Sequence, residues 1–374
     1  MKIWVVGRGY PTPDNRMWGS FELEQAKMLQ RSGQDVTYIA VTLSFLSRKD
    51  PRGLRKFEED GVKIYAYSHI YLPGKLPFYL KGFEKKCWKT VMEEAKKENG
   101  LPDVIHVHYP AMHGSAEVFE EFRKQGVKII GTEHWTRVLK NTITSFERAR
   151  LTYFCENANC LITVGNNLQD AIRKNIKVTA PMETVPNTVS PLFQIGEKKT
   201  SSKFLFAVSG RMVPHKRFDA VITQFLKTFP GDENAGLVLI GSGPEKEKLE
   251  KLSAGDPRIT FTGIIPSKEV AKKVASCDAL ICYSSCETFA VPVIEAWASG
   301  KPVITLSSIP ASVYCDETRG IVIDDKDQDD LGKAMIKIRE QYENYDPEAI
   351  AKYARQNFGD EAIANALMEI YAKY

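Results

Sequence analysis

The stretch Tyr283–Thr305, YSSCETFAVPVIEAWASGKPVIT, decides how this chain reads. Just before it, DALIC (Asp278–Cys282) is a short apolar run of the kind that forms a buried strand. After it, PVIT (Pro302–Thr305) begins another. Pro292 stands where a helix would start, because a fixed φ and a missing N–H suit the first turn. Ala296 and Ala298 continue that helix, and Gly300 ends it. Strand, loop, short helix and strand make one unit of an open parallel sheet, where ligands bind beyond the carboxyl ends of strands. The loop carries Glu287, and the early helix carries Glu295. A carboxylate accepts hydrogen bonds from hydroxyls, and a helix N-terminus holds phosphate. Spacing alone also allows a plainer reading: Glu295 complements the helix dipole and Glu287 is a solvated loop charge.

At 374 residues the chain is too long for one ordinary core, so two domains are expected. A composition 43% hydrophobic and 26% charged is that of a globular protein. The net charge of +4 is too small to imply a nucleic-acid partner. Seven cysteines are an odd number, and no C-x-x-C pair occurs, which points to free thiols in a reducing, cytoplasmic compartment. No apolar run approaches the ~20 residues of a membrane span. The chain opens directly on a strand, IWVVG, with no signal-peptide pattern.

The central stretch resembles the signature of the retaining glycosyltransferases of family four, which have the GT-B fold: two Rossmann-like, doubly wound parallel-sheet domains facing across a cleft. Glu287, Phe289, Pro292, Glu295, Ala296, Ala298, Gly300, Pro302 and Val303 match it, while Ala290 replaces the usual glycine. The resemblance implies that Glu287 lies against the transferred sugar and Glu295 holds the ribose. It puts Phe289 and Ala290 on the nucleotide side. FLFAVSGRMVPHKRFDAVITQF resembles the same family's "G-R-L-x-x-x-K-G-x-D", with Arg211 and Lys216 as the cations that bind the diphosphate. Arg217 stands where glycine is usual. Gly241 and Gly243 match a "G-x-G-P" turn lining the nucleotide pocket. The turn Gly263–Ile265 is implied to meet the base through its backbone. Side chains then encode the base poorly; a UDP-sugar is favoured over a GDP-sugar. The segment SSIPASVYCDETRG departs from the family pattern, which leaves recognition of the donor sugar open.

The first half reads more weakly. Gly7-x-Gly9 begins a dinucleotide fingerprint, but its third glycine would fall at Thr12. WGSFELEQAKMLQRSGQDVTYI instead resembles the family's opening, with Gly19 near the donor phosphates; a structural turn glycine is the plain alternative. In DVIHVHYP, His106 and His108 share one side of a strand, and no third metal ligand is evident. No metal and no cofactor beyond the donor is expected. VKIIGTEHWTR reads as strand Val127–Gly131 and a loop with Glu133, His134 and Trp135. The family's "T-x-H" loop implies His134 beside the sugar, whereas a satisfied structural histidine is the plain reading.

Residues 73–98 mix Leu76, Phe78, Tyr79, Leu80, Phe83 and Trp88 with Lys75, Lys81, Lys85, Lys86 and Lys89. This basic amphipathic pattern fits peripheral contact of residues 75–89 with the inner membrane leaflet, and equally a helix packed on its own core. TVPNTVSPLF resembles the family's handover between domains, and GEKKTSSK reads as a linker. The expected layout is an acceptor-side domain 1–195, a nucleotide-sugar domain 196–355, and a last helix 356–374 returning to the first. The implied reaction moves a hexose-type sugar to a hydroxyl of a glycan or lipid-linked acceptor in cell-surface polysaccharide or glycoconjugate synthesis. A related epimerase or hydrolase, or a non-catalytic nucleotide-sugar-binding subunit, shares the same motifs.

Overall fold

The computed structural model describes residues 1–12, 18–45, 52–71, 77–112, 115–197, 202–324, 326–327 and 329–374, with side chains except at 44–45, 70–71 and 77–81. The chain forms two compact units, Met1–Pro186 with Ala364–Tyr374, and Asn187–Ile363.

The first unit is built on strands β1 (Lys2–Gly7), β2 (Asp35–Phe45), β3 (Gly53–Glu59), β4 (Val62–Tyr71), β5 (Val104–His108), β6 (Lys128–Glu133), β7 (Cys160–Thr163) and β8 (Met182–Thr184). They lie in the order β3-β4-β2-β1-β5-β6-β7-β8. β1 and β7 are near-continuous apolar runs, as strands covered on both faces require, and β5 is buried throughout. All neighbours are parallel except the edge strand β3, antiparallel to β4. Asp60-Gly61 makes that hairpin turn, both residues with positive φ (51° and 78°).

The second unit has β9 (Phe204–Ser209), β10 (Ala235–Ile240), β11 (Ile259–Phe261), β12 (Ala279–Cys282), β13 (Val303–Leu306) and β14 (Gly320–Ile323). Their order is β11-β10-β9-β12-β13-β14, all parallel. The helix foreseen after Pro292 runs Val291–Ala298, and Gly300, at φ 71°, closes it. An aromatic cluster of Trp297, Tyr353, Phe358, Phe289 and Tyr314 fills the core beneath.

The unit boundaries fall at Pro186/Asn187 and Ile363/Ala364, whereas 195/196 and 355/356 were expected. Hydrogen bonds explain the shift. Val189 N–H donates to the Phe358 carbonyl at 2.8 Å, and the Thr188 hydroxyl to the same oxygen at 3.2 Å. Those contacts bind the handover segment to the helix Pro347–Phe358, whose start Asp346 caps by accepting from two backbone N–H groups. The last turns of the helix Asp360–Lys373 belong to the first unit. There Tyr371 is fully buried, its hydroxyl 2.6 Å from His106 Nδ1, while Lys128 Nζ donates to its carbonyl at 2.7 Å.

The basic amphipathic segment lies partly outside the described residues. Its described part, in the helix Pro77–Asn99, turns Trp88 inward against Phe119 and pairs Lys89 with Glu121 at 3.1 Å. Trp88 is therefore a core residue and no part of a membrane-facing surface. Among the described residues no helix is long and apolar enough to cross a membrane.

Candidate active site

In the second unit the winding reverses between β9 and β12, neighbours whose other partners are β10 and β13. Loops leaving the carboxyl ends at such a point diverge and make room for a ligand. The β9 loop carries Arg211 and Lys216, and the β12 loop carries Glu287. Lys216 Nζ lies 2.5 Å from Glu287 Oε1, with side chains only 18% and 11% exposed. Backbone lacing fixes both loops: Ser285 N–H donates to the His215 carbonyl at 2.8 Å, and its hydroxyl to the same oxygen at 3.3 Å.

Glu295, partly buried on the helix Val291–Ala298, joins the pair electrostatically. Burial pushes its carboxyl up to about 7, against the opposing pull of Lys216. Burial works against the Lys216 charge, but Glu287, aided by Cys282 and Glu295, more than offsets it and holds the ammonium pKa above its ordinary value. The result is a fixed, desolvated cation flanked by carboxylates. Arg211 is exposed on the same loop, and among the described residues its side chain makes no hydrogen bond or ion pair.

The glycines have packing work. A Cβ on Gly241 would lie 2.1 Å from the Gly210 carbonyl oxygen, and one on Gly243 2.3 Å from that of Met212. Both glycines thus let the β10 loop lie directly on the β9 loop. Gly263, at φ 67°, bridges to Gly241, while the Thr262 hydroxyl accepts from Gly241 N–H at 3.2 Å. Ile265 follows, half-exposed.

One expectation changes at the helix start. The Phe289 ring, placed on the nucleotide side by the motif, is 1% exposed and packs on Tyr314 and Phe358. It is a core side chain, because the turn that presents Glu287 outward carries the residue two positions later inward. Ala290 is the helix N-cap, at φ 86° and ψ 68°, and Arg217 caps the helix Phe218–Thr228 at φ 52° and ψ 38°. Both substitutions for the usual glycine therefore sit in left-handed backbone, where only glycine is unstrained. No side chain caps the first turn at Ala290; Pro292 has no N–H and Val293 N–H donates to the Ala290 carbonyl at 3.0 Å, so the turn can offer an anion the Val291 N–H.

In the first unit the winding reverses between β1 and β5. Arg8, directly after β1, places its guanidinium 3.9 Å from the centre of the Tyr109 ring beyond β5. Arg8 Nε donates to Glu22 Oε1 at 2.6 Å, and Glu22 is 1% exposed. Burial opposes the Arg8 charge, and Glu22 beside it keeps the guanidinium pKa raised. Gly19 (φ 78°) comes before the helix Ser20–Arg31; a Cβ there would lie 1.9 Å from the Gly9 carbonyl oxygen. The Tyr38 hydroxyl donates to that same oxygen at 2.6 Å. Gly19 thus closes a structural turn at the switch point.

His134 follows β6, its Nε2 3.0 Å from His108 Nδ1, and its ring stacks on Tyr109. His108 stacks in turn on His106, centroids 4.4 Å apart. His106 spends both nitrogens on Tyr371 and Thr132, each at 2.6 Å. Neither nitrogen of His106 is therefore open to a metal, and among the described residues no group of three His, Cys, Asp or Glu is arranged to hold one. Glu133, fully buried, accepts from the backbone N–H groups of Ala111, His134 and Trp135 at 3.1, 2.9 and 2.9 Å. Burial raises its carboxyl to about 7, against the opposing pull of those three donors. Arg8, Glu22 and Tyr109 escaped the sequence reading. Their one signal is a charged residue directly after the apolar strand run ending at Gly7.

Two parallel-sheet units, each with polar residues gathered at its switch point, are the architecture of the GT-B fold. A sucrose-phosphate synthase from Thermosynechococcus elongatus superposes with a TM-score of 0.75, at 17% identity over 99% of this chain and 98% of that one. HepE from Anabaena, solved with UDP and glucose, gives 0.70 at 14% identity over the whole of both chains. Residues 22–191 match Glycosyltransferase Family 4, and residues 192–357 match Glycosyl transferases group 1. The chain belongs to this family of glycosyltransferases. N-acetyl-alpha-D-glucosaminyl L-malate synthase of Bacillus anthracis is 24% identical, over 85% of this chain and 83% of its own. A GDP-mannose-dependent alpha-(1-6)-phosphatidylinositol dimannoside mannosyltransferase of Mycobacterium tuberculosis is 27% identical, over 42% of this chain and 43% of its own.

Proposed function

We propose that this glycosyltransferase moves a hexose-type sugar from a nucleoside diphosphate, a UDP-sugar in first place, to a hydroxyl of a glycan or lipid-linked acceptor, with anomeric configuration retained. The observation that carries the reading is the Lys216–Glu287 pair, 2.5 Å apart at the switch point, with Glu295 coupled to the same cation.

As the bond from the sugar C1 to the diphosphate breaks, negative charge gathers on the leaving group. Fixed cations favour that state over the ground state, which is how they accelerate the step. Lys216 is already charged and desolvated, so it needs little reorganisation when the charge develops. Arg211 is the second cation. The Val291 N–H, at the start of the helix after Ala290, donates to a phosphate oxygen. Glu287 orients Lys216 and accepts from a hydroxyl of the transferred sugar; Glu295 accepts from the ribose. Gly241, Gly243, Gly263 and Ile265 line the base side. In the first unit, His134 offers an imidazole nitrogen to a hydroxyl of the acceptor.

The relatives support the donor class. One carries GDP-mannose in its name, and one fold neighbour was solved with UDP and glucose. The relatives' names carry L-malate and a phosphatidylinositol dimannoside, both of which bear hydroxyls, and this supports a hydroxyl acceptor; synthesis of a cell-surface glycoconjugate in the cytoplasm is part of the same reading. The test is turnover of UDP-glucose, UDP-N-acetylglucosamine and GDP-mannose with alkyl glycoside and isoprenyl-diphosphate-linked sugar acceptors, with the product anomer read by NMR. An α-linked product from a UDP-sugar supports the reading; an inverted product, or no turnover of any donor, contradicts it. Lys216→Ala should lower kcat about 100-fold or more.

A further inference from the structure

We infer that Arg217 is a positioning residue for the Lys216–Glu287 pair, acting through Tyr283; the inference rests on the reading just given. Arg217 is held at φ 52° and ψ 38°. An L-residue with a long side chain is strained there. What it gains is on the β12 side. Its guanidinium lies 4.2 Å from the centre of the Tyr283 ring. Tyr283 is 4% exposed and is the first residue after β12, opening the loop that ends in Glu287.

The placement brackets the reacting groups. On one side of Lys216, the His215 carbonyl accepts from the backbone and hydroxyl of Ser285. On the other side, Arg217 presses on Tyr283. The two loops are therefore tied at residues 215 and 217 to residues 285 and 283, and Lys216 reaches Glu287 between and beyond these ties. A glycine at 217 would take the same backbone without strain but could not hold the ring. A lysine would supply charge without the planar face that stacks. Loosening one tie would let the Tyr283–Glu287 loop shift, and small displacements of groups aimed at a transition state cost rate before they cost binding.

Strain relief and loss of the clamp act in opposite directions in Arg217→Gly, and this separates positioning from plain stability. The experiment measures kcat, KM for the UDP-sugar and Tm for the full chain and four variants. Arg217→Gly should keep or raise Tm and hold KM within about twofold, yet lower kcat about tenfold. Tyr283→Leu should lower kcat equally, the double variant should lose no more than either single one, and Tyr283→Phe, which keeps the ring face, should stay near wild type. Unchanged kcat in Arg217→Gly, or a loss that simply follows a fall in Tm, overturns the inference while the functional reading stands. If Arg217→Gly does not fold, Tyr283→Leu against Tyr283→Phe decides alone. A wild-type chain that turns over no nucleotide sugar overturns the functional reading, and this inference with it.

Discussion

Glu295 carries a carboxyl that burial raises from its ordinary 4.5 to about 7. Between those values the folded chain binds the extra proton, so stability falls as pH rises from about 4.5 to about 7, and the full penalty remains above that. Glu295→Gln removes the penalty. The variant's Tm relative to wild type should therefore rise from pH 5 to pH 8, by the equivalent of about 1–2 kcal/mol once partial exposure is allowed for; a flat difference would show that the carboxyl is not raised. Ala290 has the converse problem, a backbone at φ 86° that its methyl group resists. Ala290→Gly should stabilise the chain by about 0.5–1 kcal/mol in denaturant unfolding. At Gly19 the sign reverses: Gly19→Ala drives a methyl into the Gly9 carbonyl and should cost about 2 kcal/mol or more.

The elements show what could be foreseen. β9 with its cations and β12 with Glu287 were legible because strand, loop and helix signals repeat at each parallel-sheet unit, and the motif fixes which loop bears which charge. Chain spacing alone could not show that Lys216 and Glu287 meet, since that depends on β9 and β12 being neighbours in the sheet. Phe289 was misplaced for a related reason: a motif records which residues recur and not which face of the turn each occupies. The β3–β4 hairpin passed unread, although Asp60-Gly61 between strand-like runs is its signal. The histidine pattern was half legible. The two-residue spacing put His106 and His108 on one side, but the link to His134 needs the pairing of β5 with β6. The loop bearing His134 hangs on Glu133, whose two oxygens take three backbone donors. An amide cannot match that, since its nitrogen would face an N–H. Glu133→Gln should cost about 2 kcal/mol in denaturant unfolding, whereas an unchanged midpoint would show the three donors to be satisfied elsewhere.

Across the whole chain, the first unit is completed by residues from the far end of the sequence, while the second is the continuous segment Asn187–Ile363. The last residues, Ala364–Tyr374, belong to the first unit, where Leu367, Ile370 and Tyr371 are buried. Tyr371→Phe leaves His106 Nδ1 without its 2.6 Å partner and should cost about 1–2 kcal/mol. Deleting residues 364–374 should remove the first unit's cooperative unfolding while the second keeps its own, as read by calorimetric scanning. The same scale carries the question of what the molecule holds. Calorimetric titration of the purified chain and of Glu295→Ala with UDP and GDP asks it most directly. One of the two nucleotides should bind the wild-type chain, and the variant should bind it at least about tenfold more weakly, a loss of roughly 1.4 kcal/mol. Equal binding by both proteins, or no binding of either nucleotide, would contradict the assignment of Lys216, Glu287 and Glu295 to a nucleotide-sugar site.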